Sequence, residues 1–159
     1  MNYTVFGCGA LGTILAAHLV KARQKVTVVA RGERYLDLTK NGLRVTGLLN
    51  FKEKCEIKNS FEKNFKTDVL IFGVKAYDLV GALDMCHNLE PMVVFSLANG
   101  IKKNQMLKEF FPNSAILGCM ANFSGELLSD GTVLFTRNVS LNLDGRSSLG
   151  RSIALTIGE

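Results

Sequence analysis

A strand-like run over residues 3–6 meets Gly7-Cys8-Gly9-Ala10-Leu11-Gly12, and residues 10–22 then have the composition of a helix. This order, strand to G-x-G-x-x-G to helix, constrains the fold more than any other feature of the 159 residues. Gly7 lets the chain turn sharply off the strand, and Gly9 keeps a side chain away from whatever approaches the loop. Gly12 lets the helix lie close on the sheet. The helix N-terminus then offers unpaired N–H groups and the positive end of its dipole to an anion. Such a glycine triplet is weak evidence alone. At a strand-to-helix junction it predicts a dinucleotide loop, with Gly7, Cys8, Gly9, Ala10, Leu11 and Gly12 around a pyrophosphate.

The segments that follow alternate. Residues 25–30 (K-V-T-V-V-A) form a nearly continuous β-branched run, as expected of a parallel strand covered on both faces. A short helix is expected over 33–40, stopped by Asn41-Gly42. Residues 43–57 read as an antiparallel excursion turning near Gly47. Strands are then expected at 68–72, 92–97 and 115–120, and helices at 79–89 and 102–110, the last two bounded by Pro91 and Pro112. Strand–helix alternation implies a doubly wound, mainly parallel α/β sheet of Rossmann type with right-handed crossovers. Beyond Ser124 the texture changes to a short antiparallel excursion. Strands are expected at 132–136 and 138–143, a loop at 145–151 and a final strand at 152–157.

With no internal repeat and no linker, residues 1–159 are expected to form one domain. No apolar stretch approaches the roughly 20 residues of a membrane helix. The N-terminus enters a strand directly, so no secretory leader is expected. Cys8, Cys55, Cys86 and Cys119 are scattered without C-x-x-C pairing, the usage of a cytoplasmic protein with reduced thiols. Cys8 stands apart, because a helix N-terminus beside it could lower its pKa. The net charge of +5 comes from lysines spread along the chain. The densest group, residues 52–66, is interrupted by Glu53, Glu56 and Glu62, a solvated surface rather than a nucleic-acid stripe. No spacing of His, Cys, Asp and Glu suggests a metal, and His18 and His87 read as helix-face residues.

The residue ending the second strand of a dinucleotide fold reads the adenosine ribose. A carboxylate there accepts from the 2′-hydroxyl of NAD, whereas an arginine accommodates the 2′-phosphate of NADP. Here the strand ends in Ala30-Arg31, and no carboxylate comes before Glu33. The glycine loop and Arg31 together favour NADP, and Arg34, one helical turn on, could assist. Two further candidates leave later strand ends at the same sheet edge. Lys75 follows the 68–72 strand, and Asn99-Gly100 follows the 92–97 strand. Asn99 offers both a donor and an acceptor.

In that order, V-F-G-C-G-A-L-G at 5–12, V-V-A-R at 28–31, V-K-A-Y-D at 74–78 and A-N-G-I at 98–101 resemble the ketopantoate reductases, or 2-dehydropantoate 2-reductases. The resemblance covers nearly all of this chain and the N-terminal half of a typical member. It implies an oxidoreductase that uses NADPH to reduce 2-dehydropantoate, or a close 2-oxo acid, to pantoate on the way to pantothenate. By the same resemblance Lys75 contacts the cofactor, Asn99 lies between cofactor and substrate, and Ser124 is a further cofactor contact. No catalytic residue is expected within this chain, since the family's catalytic lysine belongs to a helical C-terminal domain. Three departures are visible, one being a segment from Arg137 to Gly158 longer than usual. Ala98 stands where the family often has Gln or His, and the G-x-V-x-H pattern near 131–136 lacks its histidine. The implied partners are a small 2-oxo acid and either that helical domain or a second copy, not nucleic acid or membrane. The alternative is a stand-alone NADP(H)-binding or sensing module without catalysis.

Overall fold

The computed structural model describes residues 1–144, 148 and 150–153. Six parallel strands form one sheet: β1 (Asn2–Phe6), β2 (Lys25–Val29), β5 (Glu56–Lys58), β6 (Val69–Phe72), β7 (Val93–Ser96) and β8 (Ala115–Ile116). Their order is β5-β2-β1-β6-β7-β8. Four more strands make a second, mixed sheet in the order β4-β3-β10-β9: β3 (Leu43–Gly47), β4 (Phe51–Glu53), β9 (Cys119–Leu127) and β10 (Val133–Leu143). The helices are α1 (Ala10–Lys21), α2 (Gly32–Asn41), α3 (Leu79–Asp84) and α4 (Lys102–Phe110), with a 3-10 turn over Ala76–Asp78 before α3.

The strand order reverses at β1, with β2 on one side and β6 on the other, which puts the topological switch point between the loops leaving β1 and β6. The apolar runs of these strands follow from burial on both faces. Val5, Ile71 and Phe95 enter one core, whereas Phe6, Phe72 and Val94 enter the other with α3 and α4. Between the two sheets lies α1. It packs on β2 from one side and on β3, β9 and β10 from the other. Its buried residues, Gly12 through Ala17 and Leu19, therefore run almost all round it. His18, at its edge, stacks edge-on against Phe51 and Phe135 at 5.2 and 5.9 Å.

Several segments differ from the sequence expectation, each for a physical reason. The 43–57 excursion is antiparallel only as far as Glu53, because β5 returns to the main sheet beside β2, with Thr27 opposite Glu56. The 79–89 helix ends at Asp84, and tight turns in which Cys86 and Leu89 donate to Leu83 and Cys86 bury both side chains. The 115–120 run divides at Gly118. Its first half closes the parallel sheet as β8, and Cys119 starts β9 in the other sheet. Val133–Leu143 form one strand with irregular register beside Arg137 and Asn138, so the break expected between two short strands is a bulge in a long hairpin. Beyond Asp144, residues 145–147, 149 and 154–159 of the expected loop and final strand lie outside the described residues. Ser152 and Ile153 are helical.

Gly12 is the tightest backbone position. A Cβ there would run into the Gly7 carbonyl oxygen, well inside contact distance. Gly12→Ala is expected to cost about 1–3 kcal/mol, as overpacked sites do, read as a lower urea midpoint. An unchanged midpoint would contradict this packing.

Candidate functional site

The glycine loop is shaped by close approach. Gly7 has φ +94°, and a Cβ on it would strike the Val74 side chain and lie 2.9 Å from the Val74 amide nitrogen. Its own N–H donates to the Val29 carbonyl at 2.9 Å, while Gly73 N–H donates to Phe6 O at 2.8 Å. Gly9 is the N-cap of α1, and a Cβ on Gly9 would meet nothing within 4 Å. No side chain caps this helix, and no carboxylate occupies its first turn. The result is a cleft of about 320 Å³, bordered by Gly7, Cys8, Gly9, Arg31, Arg34 and Val74. Open space at Gly9 and an uncapped helix end fit a bound pyrophosphate.

The two arginines of this region have different fates. Arg31, the N-cap residue of α2, is exposed, and its side chain has no partner among the described residues. It borders both the glycine-loop cleft and a second groove of about 610 Å³ shared with Tyr35, Leu36, Asn59 and Ser60. Asn59 and Ser60 reach that groove because β5 pairs with β2 and Ala30 N–H donates to Lys58 O at 3.0 Å.

Arg34 is occupied. Its Nε–H donates to Cys8 O at 2.8 Å, and its terminal N–H groups donate to Asp37 Oδ2 at 2.7 Å, Gly131 O at 2.7 Å and Thr13 Oγ1 at 2.8 Å. The expectation that it assists Arg31 on a phosphate is therefore corrected. It braces the glycine loop against α2 and the β9–β10 turn. Cys8 is corrected too. Burial outweighs the attraction of Arg34 and pushes its thiol up to about 12, so the helix end does not activate it.

Because β1, β6 and β7 are neighbours, their C-terminal ends line one edge. Lys75 leaves β6 there, exposed, with Nζ 5.9 Å from the Tyr77 ring centroid, and borders neither cleft. Asn99 leaves β7 and lines a cavity of about 510 Å³ between the Asn99–Gly100 turn and the start of β9. Asn104 lines the same cavity, and its buried Oδ1 has no partner among the described residues. Ser124 is not brought to either cleft. It is exposed on β9, where its hydroxyl shares a 3.1 Å hydrogen bond with Thr136 Oγ1.

Sequence reasoning missed Lys103. Buried in the first turn of α4, it donates to Ser96 O at 2.8 Å, to Cys119 O at 2.9 Å and to Ala98 O. The available signal was a lysine pair, Lys102-Lys103, at a helix N-terminus, where the dipole disfavours cations. Among the described residues no cluster of His, Cys, Asp and Glu could hold a metal, and no helix is long and apolar enough to cross a membrane.

An all-parallel sheet in this order, with a glycine loop and an uncapped helix N-terminus at its switch point, defines a Rossmann-type α/β protein. The chain belongs to the family of ketopantoate reductase PanE/ApbA, whose sequence profile matches residues 3–146. A 2-dehydropantoate 2-reductase from Archaeoglobus fulgidus is 31% identical over 82% of this chain and 42% of the relative. One from Pyrococcus horikoshii is 28% identical over 96% of this chain and 50% of the relative. The chain thus spans about half the length of the curated relatives it matches. Among solved structures, D-mandelate dehydrogenase with NADH and anilino(oxo)acetate superimposes with a TM-score of 0.88 at 21% identity, covering 99% of this chain and 54% of that one. The 2-dehydropantoate 2-reductase from Geobacter metallireducens gives 0.89 at 20% identity, with coverages of 99% and 55%. At these identities the structures establish the fold.

Removing Arg34 strands the Cys8 and Gly131 carbonyls and the Asp37 carboxylate. Arg34→Ala is expected to destabilise the chain by about 2–3 kcal/mol, read from its urea midpoint. The thiols give a pH dependence. Burial raises Cys8, Cys55 and Cys86 to about 12 and Cys119 to about 11, against an ordinary value of 9.0. Above about pH 9 the unfolded chain sheds thiol protons that the folded chain keeps, so stability falls with rising pH. Below that range these groups add no slope. The urea midpoint should decline from about pH 9 upward, and less steeply in Cys86→Ala.

Proposed function

We propose that residues 1–159 are the NADPH-binding domain of a ketopantoate reductase that reduces 2-dehydropantoate, or a close 2-oxo acid, to the 2-hydroxy acid. Family membership and the names of the relatives support the reaction class. The observation that carries the cofactor choice is Arg31, an exposed guanidinium where the glycine-loop cleft meets the groove beyond β2. An arginine at this strand end suits the 2′-phosphate of NADP, and no carboxylate stands there to accept from the ribose of NAD. This separates the chain from what its structural neighbour, a D-mandelate dehydrogenase with NADH, would suggest.

In this reading the Gly7–Gly12 backbone and the α1 N-terminus hold the pyrophosphate, and Arg31 grips the 2′-phosphate through paired N–H groups. Lys75 approaches the cofactor from the end of β6. Asn99 orients the nicotinamide half or the substrate by donating and accepting at the edge of its cavity. When bound, NADPH supplies the hydride from C4 of its nicotinamide to the carbonyl carbon of the 2-oxo acid. No residue of this chain is assigned the proton transfer to the carbonyl oxygen. That role falls to the family's helical C-terminal domain, so the 159-residue chain binds NADPH and turns over little.

Fluorescence titrations with NADPH and NADH test this. The wild-type chain should bind NADPH in preference. Arg31→Ala should weaken NADPH by about 10–150-fold, the 1.5–3 kcal/mol of a charged contact, and leave NADH unchanged. Equal affinity for the two cofactors would refute the role of Arg31. Robust reduction of 2-dehydropantoate by this chain alone would refute the division of labour. NADPH binding that a 2-oxo acid reductase activity never accompanies, even with the helical domain supplied, would favour a pure binding module.

A further inference from the structure

Burying a lysine in the first turn of a helix is costly twice over. The ammonium loses its water, and the helix dipole opposes it. Lys103 accepts both penalties, and burial holds its pKa below the ordinary lysine value. What offsets them is a complete set of hydrogen bonds. The three N–H donors of an ammonium match the three carbonyls of Ser96, Ala98 and Cys119.

These acceptors are not scattered. Ser96 ends β7, Ala98 directly precedes Asn99, and Cys119 begins β9 in the other sheet. The Asn99–Gly100 turn itself is exposed, with Gly100 at φ +105°, and the Asn99 side chain has no partner among the described residues. The place from which Asn99 reaches out is therefore set by its main chain, and that main chain is anchored from below by Lys103. Neither a planar guanidinium fork nor a glutamine amide, with two N–H donors, places three donors on one point.

We infer that Lys103 is a positioning residue, whose buried ammonium ties the exit of β7 to the entrance of β9 and thereby sets Asn99 against the nicotinamide half of the cofactor. This rests on the cofactor reading above. Lys103 touches neither cofactor nor substrate and acts through the turn.

Two probes separate the ends of the site: NADPH, and adenosine 2′,5′-bisphosphate, which lacks the nicotinamide half. Lys103→Met should bind the bisphosphate as the wild type does and NADPH about tenfold more weakly, the loss of one polar contact. Asn99→Ala should behave alike, and the double variant should lose no more than either single one, the mark of residues acting as a unit. Equal losses on both probes, no loss on NADPH, or additive losses in the double variant would overturn the inference alone. Failure of the wild-type chain to bind either probe would overturn the cofactor reading and this inference with it. A second measurement needs no variant. Nitrogen NMR of the wild-type lysines should show an ammonium with slowed hydrogen exchange. If every lysine ammonium exchanges as freely as the free amino acid, the clamp does not exist.

Discussion

Everything in this molecule hangs on the contact of the Gly7 carbonyl with two other glycines. Side chains at Gly12 or Gly73 would each collide with that oxygen. Their absence lets the first turn of α1 and the loop leaving β6 converge on the end of β1. Because α1 is the layer between the two sheets, its height above β1 also sets how closely β3, β9 and β10 approach the parallel sheet. A shift of this one helix would therefore open the core that the two sheets share, since interiors packed at near-crystalline density do not absorb such changes locally. The same contact aims the helix N-terminus into the cleft, so the packing requirement and the binding geometry are one constraint.

Buried and half-buried cations are the second organising element, and the chain satisfies them mainly with carbonyl oxygens. Arg34 spans the glycine loop, α2 and the β9–β10 turn through Cys8 O and Gly131 O, and Asp37 is its carboxylate partner. Lys103 spans β7 and β9 through three carbonyls. Each joins the parallel sheet to the mixed sheet at a point beside a candidate ligand loop. A cation with several carbonyl acceptors fixes backbone position more closely than an apolar contact, because losing any one bond leaves a buried acceptor unsatisfied. This is why Arg34, three residues from Arg31, braces the loops beside the cleft, whereas Arg31 is exposed with no partner among the described residues.

Much of the parallel sheet was legible because its signals are local and redundant. The glycine loop, the β-branched runs and the stop at Asn41-Gly42 each sit where period and turn chemistry agree, and α4 begins and ends at the residues expected of it. The mixed sheet was legible only in part. β10 pairs with β3 across almost ninety residues of sequence, Val133 lying opposite Val45, and nothing in either segment announces its partner. Polar Arg137 breaks the apolar pattern between two expected strands because a bulge in one long strand tolerates such residues. For the site, motif position puts Gly7, Arg31 and Asn99 at strand ends and ranks Arg31 before Arg34, yet the bracing role of Arg34 is not visible in the sequence. What distinguishes them is the carbonyls that tertiary folding brings to one and not to the other. Ser124 stands on a strand of the second sheet, a placement that depends on a hairpin whose register is set at a distance.

In the proposed reading, the three parts of the edge would divide the physical work of binding unequally. The glycine loop offers main-chain N–H groups and a helix end, which recognise a pyrophosphate without distinguishing one dinucleotide from another. Arg31 is a single long side chain at a rim, so discrimination between a 2′-phosphate and a 2′-hydroxyl concentrates in one charged contact. The Asn99 turn offers an amide whose orientation depends on a main chain held from beneath. In that reading affinity would belong to the backbone, specificity to one residue, and alignment to a clamp that no ligand touches. Such a division lets Arg31 change without loss of the fold, because its side chain braces nothing among the described residues. Arg34 and Lys103 have no such freedom. Their replacement alters the loops themselves, and the ligand registers the change only afterwards.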